Sequence, residues 1–140
     1  MKKNIAKLLN YWLPPIIWAI VIFLLSSRKL PDVTGVYWQE YVFKKTSHVL
    51  FYGFHAILLY RALRGSKVSV KKATVWAAVV AIVYGITDEF HQSFVPGREP
   101  RLRDIGFDSF GILLALYAIR VFLPKSPNSV KSWARKLEII

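Results

Sequence analysis

The sequence predicts an all-α protein, an integral membrane bundle of four transmembrane helices with N- and C-termini both cytoplasmic. Three observations lead there. The chain of 140 residues is 54% hydrophobic with positive mean hydropathy, yet its formal net charge is +12. Its apolar residues gather into four long segments. Its basic residues concentrate between alternate segments, the pattern of a membrane protein rather than of a nucleic-acid binder. A soluble helical bundle is the alternative, but little sequence remains outside the apolar segments to cover them. No nucleic-acid partner is expected.

The first segment runs from about Leu8 to Leu25. A signal peptide would look similar, but no A-x-A-like cleavage site follows and Pro14-Pro15 interrupts a long apolar run, so a retained anchor is expected. The second, SHVLFYGFHAILLYRAL, starts near Ser47 and is the weakest, because two histidines interrupt it. The third runs from about Ala73 to Ile86 and can continue as helix to about Phe94; the fourth runs from about Ile105 to Phe122. A spanning helix needs about 20 apolar residues, which the second and third reach only if their polar ends are helical. Lipid offers the backbone no hydrogen-bond partners, so helices are the expected form. After Pro124 and Pro127, Val130, Trp133, Leu137 and Ile140 share one helical face and Lys131, Arg135 and Lys136 lie elsewhere. That suits a short helix on an anionic inner leaflet, with a frayed tail as the alternative. Residues 1–125 are therefore expected to form the transmembrane domain and 126–140 a basic amphipathic cytoplasmic tail.

With the N-terminus cytoplasmic, residues 1–10, 61–72 and 120–140 face inward. They hold Lys2, Lys3, Lys7, Arg61, Arg64, Lys67, Lys71, Lys72, Arg120, Lys125, Lys131, Arg135 and Lys136, but only one acid, Glu138. The other seven acids lie in the outer loops or at outer helix ends, with Arg28, Lys29, Lys44, Lys45, Arg98, Arg101 and Arg103. The net charge of +12 thus resides on the inner side, as the positive-inside rule requires.

The outer side then holds an unusual polar set. Lys45, His48, Tyr52 and His55 are spaced by three and four residues and form one stripe on the second helix. In DEFHQSFVPGREPRLRDIGFD, Glu89 and Gln92 share a helical face, and Asp88 and His91 share a neighbouring one. Pro96 and Gly97 end that helix in a tight turn. Asp104 stands near the start of the fourth helix, where the dipole favours an acid, and Asp108 and Gly111 follow on its face. Ionisable groups in a bilayer face the bundle interior and pair with one another. Asp108, one turn into an apolar helix, needs a partner; Lys45, His48 and Arg98 are the candidates. An ion-pair network that merely locks the helices is the structural alternative to a ligand site.

Specific chemistries are sparsely signalled. The absence of cysteine excludes disulfides, thiolate zinc ligands and thiol nucleophiles. Asp88 and His91 have helical metal-ligand spacing, but no second acid-x-x-His motif and no H-E-x-x-H accompany them, so neither metal nor cofactor is expected. There is no G-x-S-x-G elbow. Histidine and acid beside Arg98, Arg101 and Arg103 suit an anionic ligand such as a lipid phosphate. Contact with lipid headgroups is an equal reading for Arg101 and Arg103.

On KTSHVLFYGFHAILL and EFHQSFVPGREPRLRDIGFDSFG the chain resembles the VanZ-like membrane proteins, the group named for the teicoplanin-resistance protein. The family pattern of a lysine, a histidine and a tyrosine, then E-x-x-Q, PGR, an aspartate and N-x-x-G falls on Lys45, His48, Tyr52, Glu89, Gln92, Pro96, Gly97, Arg98, Asp104 and Gly111. The resemblance covers about residues 10–122. Asp108 stands where the family pattern has asparagine, which adds a buried charge, and Arg101 where serine is common. The resemblance implies a small multi-pass protein of the bacterial cytoplasmic membrane, and for its founding member a link to glycopeptide susceptibility, without a settled reaction.

The expected function is binding of an anionic cell-envelope component, a lipid-linked phosphate or cell-wall precursor, at Lys45, His48, Tyr52, Glu89, Gln92, Arg98, Asp104 and Asp108. The alternatives are a membrane enzyme with Glu89 or His48 as general base, and a structural or partner-binding bundle.

Overall fold

The structure, a computed structural model, describes residues 2–29, 35–98 and 101–139, with side chains from Leu8 onward. Asp32, Glu99 and Ile140, used in the charge and tail readings, lie outside the described residues, as do the side chains of Lys2, Lys3 and Lys7. Every regular element among the described residues is helical: α1 (Lys2–Ser26), α2 (Tyr37–Gly65), α3 (Val70–Gln92), α4 (Leu102–Tyr117) and α5 (Asn128–Lys136). A π-helical turn (Ala118–Phe122) and a 3-10 turn (Leu123–Lys125) prolong α4.

Among the described residues three helices, rather than the four expected, are by length and composition apolar enough to cross a membrane: Leu8–Ser26, Val70–Gln92 and Leu102–Lys125. The exception is α2. At 29 residues it is the longest helix, but Glu40, Lys44, Lys45, Arg61 and Arg64 lie in it. Its uncharged run, residues 46–60, is shorter than the roughly 17–25 residues of a spanning segment.

Contacts define an up-and-down topology. Ser26, Lys45, Asp88 and Asp104 meet at one end of the bundle. At the other, Trp12 Nε1 donates to Ser66 Oγ (2.9 Å) and Arg61 donates to the carbonyls of Asn10 (3.1 Å) and Leu137 (2.8 Å). Helix α2 touches all three apolar helices and packs most extensively on α4. Its C-terminus closes with Lys67 at φ 64° and a bond from Val68 N–H to the Leu63 carbonyl, which satisfies an end carbonyl as a Schellman motif does.

The burial pattern is inverted relative to a soluble bundle. Large apolar side chains such as Leu9, Ile16, Ile20, Val79, Val83, Leu113 and Leu114 are exposed, whereas Ala56, Ala62, Ala73, Ala77 and Ala81 are fully buried. Small residues let helix backbones approach where lipid removes the hydrophobic drive between helices. On α3 the stripe Ala73, Ala77, Ala81 and Gly85 recurs every four residues and faces the bundle. Where α2 crosses α4, a Cβ on Gly111 would overlap the Val49 backbone, and one on Gly53 would lie 3.0 Å from the Gly111 carbonyl.

The tail is docked rather than frayed. Ala134 of α5 is buried, and Arg61 holds the Leu137 carbonyl and, at 3.2 Å, the Glu138 carboxylate. Val130 and Trp133 remain exposed.

Glycine positions in α4 give a direct test of the packing. Gly111→Ala should destabilise the detergent-solubilised protein by about 1–3 kcal/mol, the usual penalty of overpacking. Gly106, whose Cβ would meet nothing within 4 Å, should tolerate alanine, with a gain of up to about 1 kcal/mol from helix propensity. Thermal unfolding of the two variants side by side checks the contrast.

Candidate functional site

The polar residues meet at the end of the bundle where α1 and α3 finish and α2 and α4 begin. Each sits there for a local reason. Lys45, His48 and Tyr52 follow the helical repeat along the inward face of α2. Asp88, Glu89 and Gln92 continue the small-residue stripe of α3, so the face that packs closely in the bundle becomes polar at its end. Asp104 lies in the first turn of α4, and Asp108 one turn on. Gly85 makes room: a Cβ there would lie 3.3 Å from the Tyr52 ring and 3.4 Å from Asp108 Oδ2.

Two pairs join α2 to α4. The Lys45 ammonium donates to Asp104 Oδ1, and His48 Nδ1 lies 2.8 Å from Asp108 Oδ1. An ionised carboxylate only accepts hydrogen bonds, so this pair places the proton on Nδ1 and turns Nε2 toward Asp104, whose Oδ2 is 4.0 Å away. Among the three candidate partners of Asp108, the structure selects His48. Asp108 is 1% exposed, and its Oδ2 is buried without a hydrogen-bond partner.

The third group centres on Asp88, which the sequence places on one helical face with His91 and which is not among the expected site residues. Asp88 accepts from Ser26 Oγ (2.6 Å), Tyr52 Oη (3.0 Å) and Gln92 Nε2 (3.0 Å), so one carboxylate ties α1, α2 and α3 together. His91 instead lies 3.1 Å from Ser27 Oγ. The Asp88–Gln92 spacing of four was a usable signal, but the contribution of Ser26 comes from tertiary structure. Glu89, also buried, accepts from the Arg101 backbone N–H at 3.0 Å and more weakly from Gln92 at 3.4 Å.

Arg98 is placed by a type II turn. Gly97 has φ 78°, Pro96 precedes it, and Arg98 N–H bonds the Val95 carbonyl at 3.1 Å. From there the guanidinium donates to the Leu25 (2.9 Å) and Arg28 (3.0 Å) carbonyls and so caps the end of α1. That anchors it to α1 rather than to an acid.

A cavity of about 560 Å³ opens over this arrangement. Lys45, His48, Tyr52, Gln92, Arg98 and Asp104 line it, as does Asp88, whereas Glu89 and Asp108 are not among its lining residues. Lys29, Lys44 and Arg101 also line it, while its lower wall is made by Ile22, Phe51 and Tyr52. His55 points elsewhere, its ring 5.3 Å from that of Tyr84. Ligand atoms of His48, Glu89 and Asp104, from three different helices, lie within 4.8 Å of one another and could hold a metal ion. No sequence spacing announces that grouping.

Chemically the site combines an accessible imidazole backed by a carboxylate, basic side chains at the cavity, and several buried acids. It can hold an anion at its basic side chains and can move a proton through His48.

The Asp88 hub yields a stability prediction. Asp88→Ala removes the acceptor of three hydrogen bonds. Ser26 Oγ keeps the Phe23 carbonyl at 3.0 Å and Gln92 its long bond to Glu89, but Tyr52 Oη loses its acceptor. The loss should therefore be about 1–3 kcal/mol or more, whereas Tyr52→Phe should lose only about 1 kcal/mol. The double variant should lose less than the sum of the two, because both changes remove the same bond. Reversible unfolding in detergent measures all three.

Comparison with known proteins agrees with these motifs. The VanZ/LLP1 family model matches residues 9–123, which include α1 from its third turn and all of α2, α3 and α4. No curated protein and no solved structure matches the chain significantly.

Proposed function

The chain belongs to the VanZ/LLP1 family, and from that premise we propose that it is a multi-pass protein of the bacterial cytoplasmic membrane that binds the phosphate-bearing head of an envelope lipid or cell-wall precursor in the cavity at the outer end of its bundle. The observation that carries this reading is the cavity itself. It is large enough for a headgroup, it is lined by Lys29, Lys44, Lys45, Arg98 and Arg101, and it sits at the end of helices whose outer faces are apolar. Basic side chains bind phosphate through charge-assisted hydrogen bonds, and the acyl chains of such a ligand would remain beside the apolar helix faces.

In this reading α2 is the fourth span. Its three apolar neighbours shield its polar residues, which removes the need for it to be apolar throughout. Both termini are cytoplasmic, as the placement of the basic residues supports. The tail helix α5 then lies on the inner leaflet with Trp133 toward lipid. If the ligand is a cell-wall precursor, its sequestration or remodelling would alter susceptibility to teicoplanin-type glycopeptides.

A second reading, catalysis on the same ligand, is favoured by the His48–Asp108 pair. A histidine held at Nδ1 by a buried carboxylate, with Nε2 toward a cavity, is the arrangement of a general base. It makes His48, rather than Glu89, the better candidate, since Glu89 does not line the cavity.

Topology is directly measurable, because the chain has no cysteine to interfere. In intact cells, Ser93→Cys should react with a membrane-impermeant maleimide, and Ser132→Cys should react only after lysis. Labelling of both, or the reverse order, would reject the orientation.

Ligand binding can be read by native mass spectrometry, with phosphatidic acid compared against the diacylglycerol that lacks its phosphate. Phosphatidic acid should bind preferentially. Lys29→Gln should weaken it about tenfold, as expected for one charge-assisted hydrogen bond, while the thermal midpoint stays unchanged. Equal binding of the two lipids would sink the phosphate reading.

A further inference from the structure

The buried charges of the site do not balance. Asp88, Glu89, Asp104 and Asp108 are all buried, each no more than 7% exposed. Against them stand one ammonium, Lys45 on Asp104, and one imidazole, His48 on Asp108. Asp88 is held by three uncharged donors. Glu89 is held by a backbone N–H and a long bond from an amide. Neither Asp88 nor Glu89 forms an ion pair with a described residue. With His48 neutral and the acids ionised, three negative charges stay uncompensated in a region of low dielectric, an unfavourable arrangement that either protonation of an acid or a bound cation relieves.

We propose that His48, Glu89 and Asp104 form a divalent-cation site, with Asp108 positioning His48 for it. The geometry is close to that of a ligand set. Atoms bound to one ion at 2.0–2.3 Å lie about 3 to 4.6 Å apart, and the three ligand atoms here lie within 4.8 Å of one another, so a shift of a few tenths of an ångström would bring them round one ion. His48 Nε2 and Asp104 Oδ2 are 4.0 Å apart, and Lys45 occupies the other oxygen, Oδ1, so the two cations would not compete for one atom.

A second, independent feature is the orientation of His48. Metal-bound histidines donate their other ring N–H to a carboxylate or carbonyl, which fixes the tautomer and strengthens the ligand. Asp108 takes that place at 2.8 Å, and it is buried, with its remaining oxygen lacking any hydrogen-bond partner. A dication on Nε2 would face that carboxylate across the ring and lower the deficit from three charges to one.

One imidazole nitrogen with carboxylate oxygens suits Mn2+, Mg2+ or Zn2+ and excludes the soft, thiolate-seeking ions. Asp104 and His48 line the cavity, so the ion would present open positions to it, and an anionic headgroup could complete its coordination. The cation site does not depend on that headgroup; it rests on the three ligand atoms and Asp108.

Mn2+ is the probe of choice, because its free and bound forms differ in electron paramagnetic resonance. The full chain in phosphatidylcholine nanodiscs, in phosphate-free buffer, should bind one Mn2+ with a nitrogen coupling from a single imidazole. Glu89→Gln and Asp104→Asn should each weaken binding by at least tenfold. Asp108→Asn should weaken it about tenfold to a hundredfold, the range for residues that orient a ligand, and Glu138→Gln at the opposite end should leave it unchanged. The nitrogen coupling needs no variant, so it decides the matter even if a substituted protein fails to fold. Absence of bound Mn2+ at millimolar concentration would overturn the proposal. So would bound Mn2+ without imidazole coupling, or binding that Glu89→Gln leaves intact. Because no anionic lipid is present, failure here leaves the phosphate reading standing, and loss of the phosphate reading leaves this one standing.

Discussion

A carboxylate can be buried in an apolar helical bundle only where donors or cations surround it, and that requirement organises this protein. Asp88 collects donors from α1, α2 and its own helix; Asp104 and Asp108 are matched by Lys45 and His48 of α2. These pairs are sparse, short-range and directional, so they fix the axial register of α2 against α3 and α4. Alanine and glycine contacts alone would tolerate sliding. Close approach and polar pairing support each other, since the Gly53–Gly111 crossing brings α2 near enough for short side chains to meet.

The two ends of the bundle have opposite character. At the tail end, Arg61 gathers carbonyls from α1 and the residues following α5, and the basic side chains are mostly exposed. At the cavity end, acids outnumber bases in the interior while bases prevail around the opening. An approaching anion is therefore attracted to the opening and repelled by the floor. This gradient is what supports the proposed phosphate reading, in which a phosphate would rest at the basic side chains and pass further only with a compensating cation. Specificity of this kind comes from the placement of charge, and the apolar exterior contributes by setting the depth at which the charges lie.

The sequence revealed the all-helical class, the helix order and six of the polar side chains that line the cavity, because period-3.6 spacing and charge segregation are local signals. Lys45, His48 and Tyr52 were readable from one stripe, and Asp104 and Asp108 from another. The less legible features depend on which helices touch. Asp88 shares a helical face with His91 in the sequence, whereas two of its three donors, Ser26 and Tyr52, reach it from across the bundle. Arg98 looked like an anion ligand, whereas it first satisfies the open carbonyls at the end of α1. Helix α2 is expected from the sequence as a fourth span, whereas among the described residues three helices are apolar enough to cross a membrane and α2 is the one whose polar residues pack against them.

The central claim is that α2 and α4 share buried polar pairs while the protein sits in a bilayer. Solid-state NMR on the chain in lipid, with 15N-labelled histidine and 13C-labelled aspartate, tests it most directly. The account predicts a strong dipolar contact between His48 Nδ1 and the Asp108 carboxyl carbon, at the short range implied by the 2.8 Å bond, and its loss in His48→Gln. A His48 ring with no carboxylate contact, or in rapid exchange with bulk water, would contradict it.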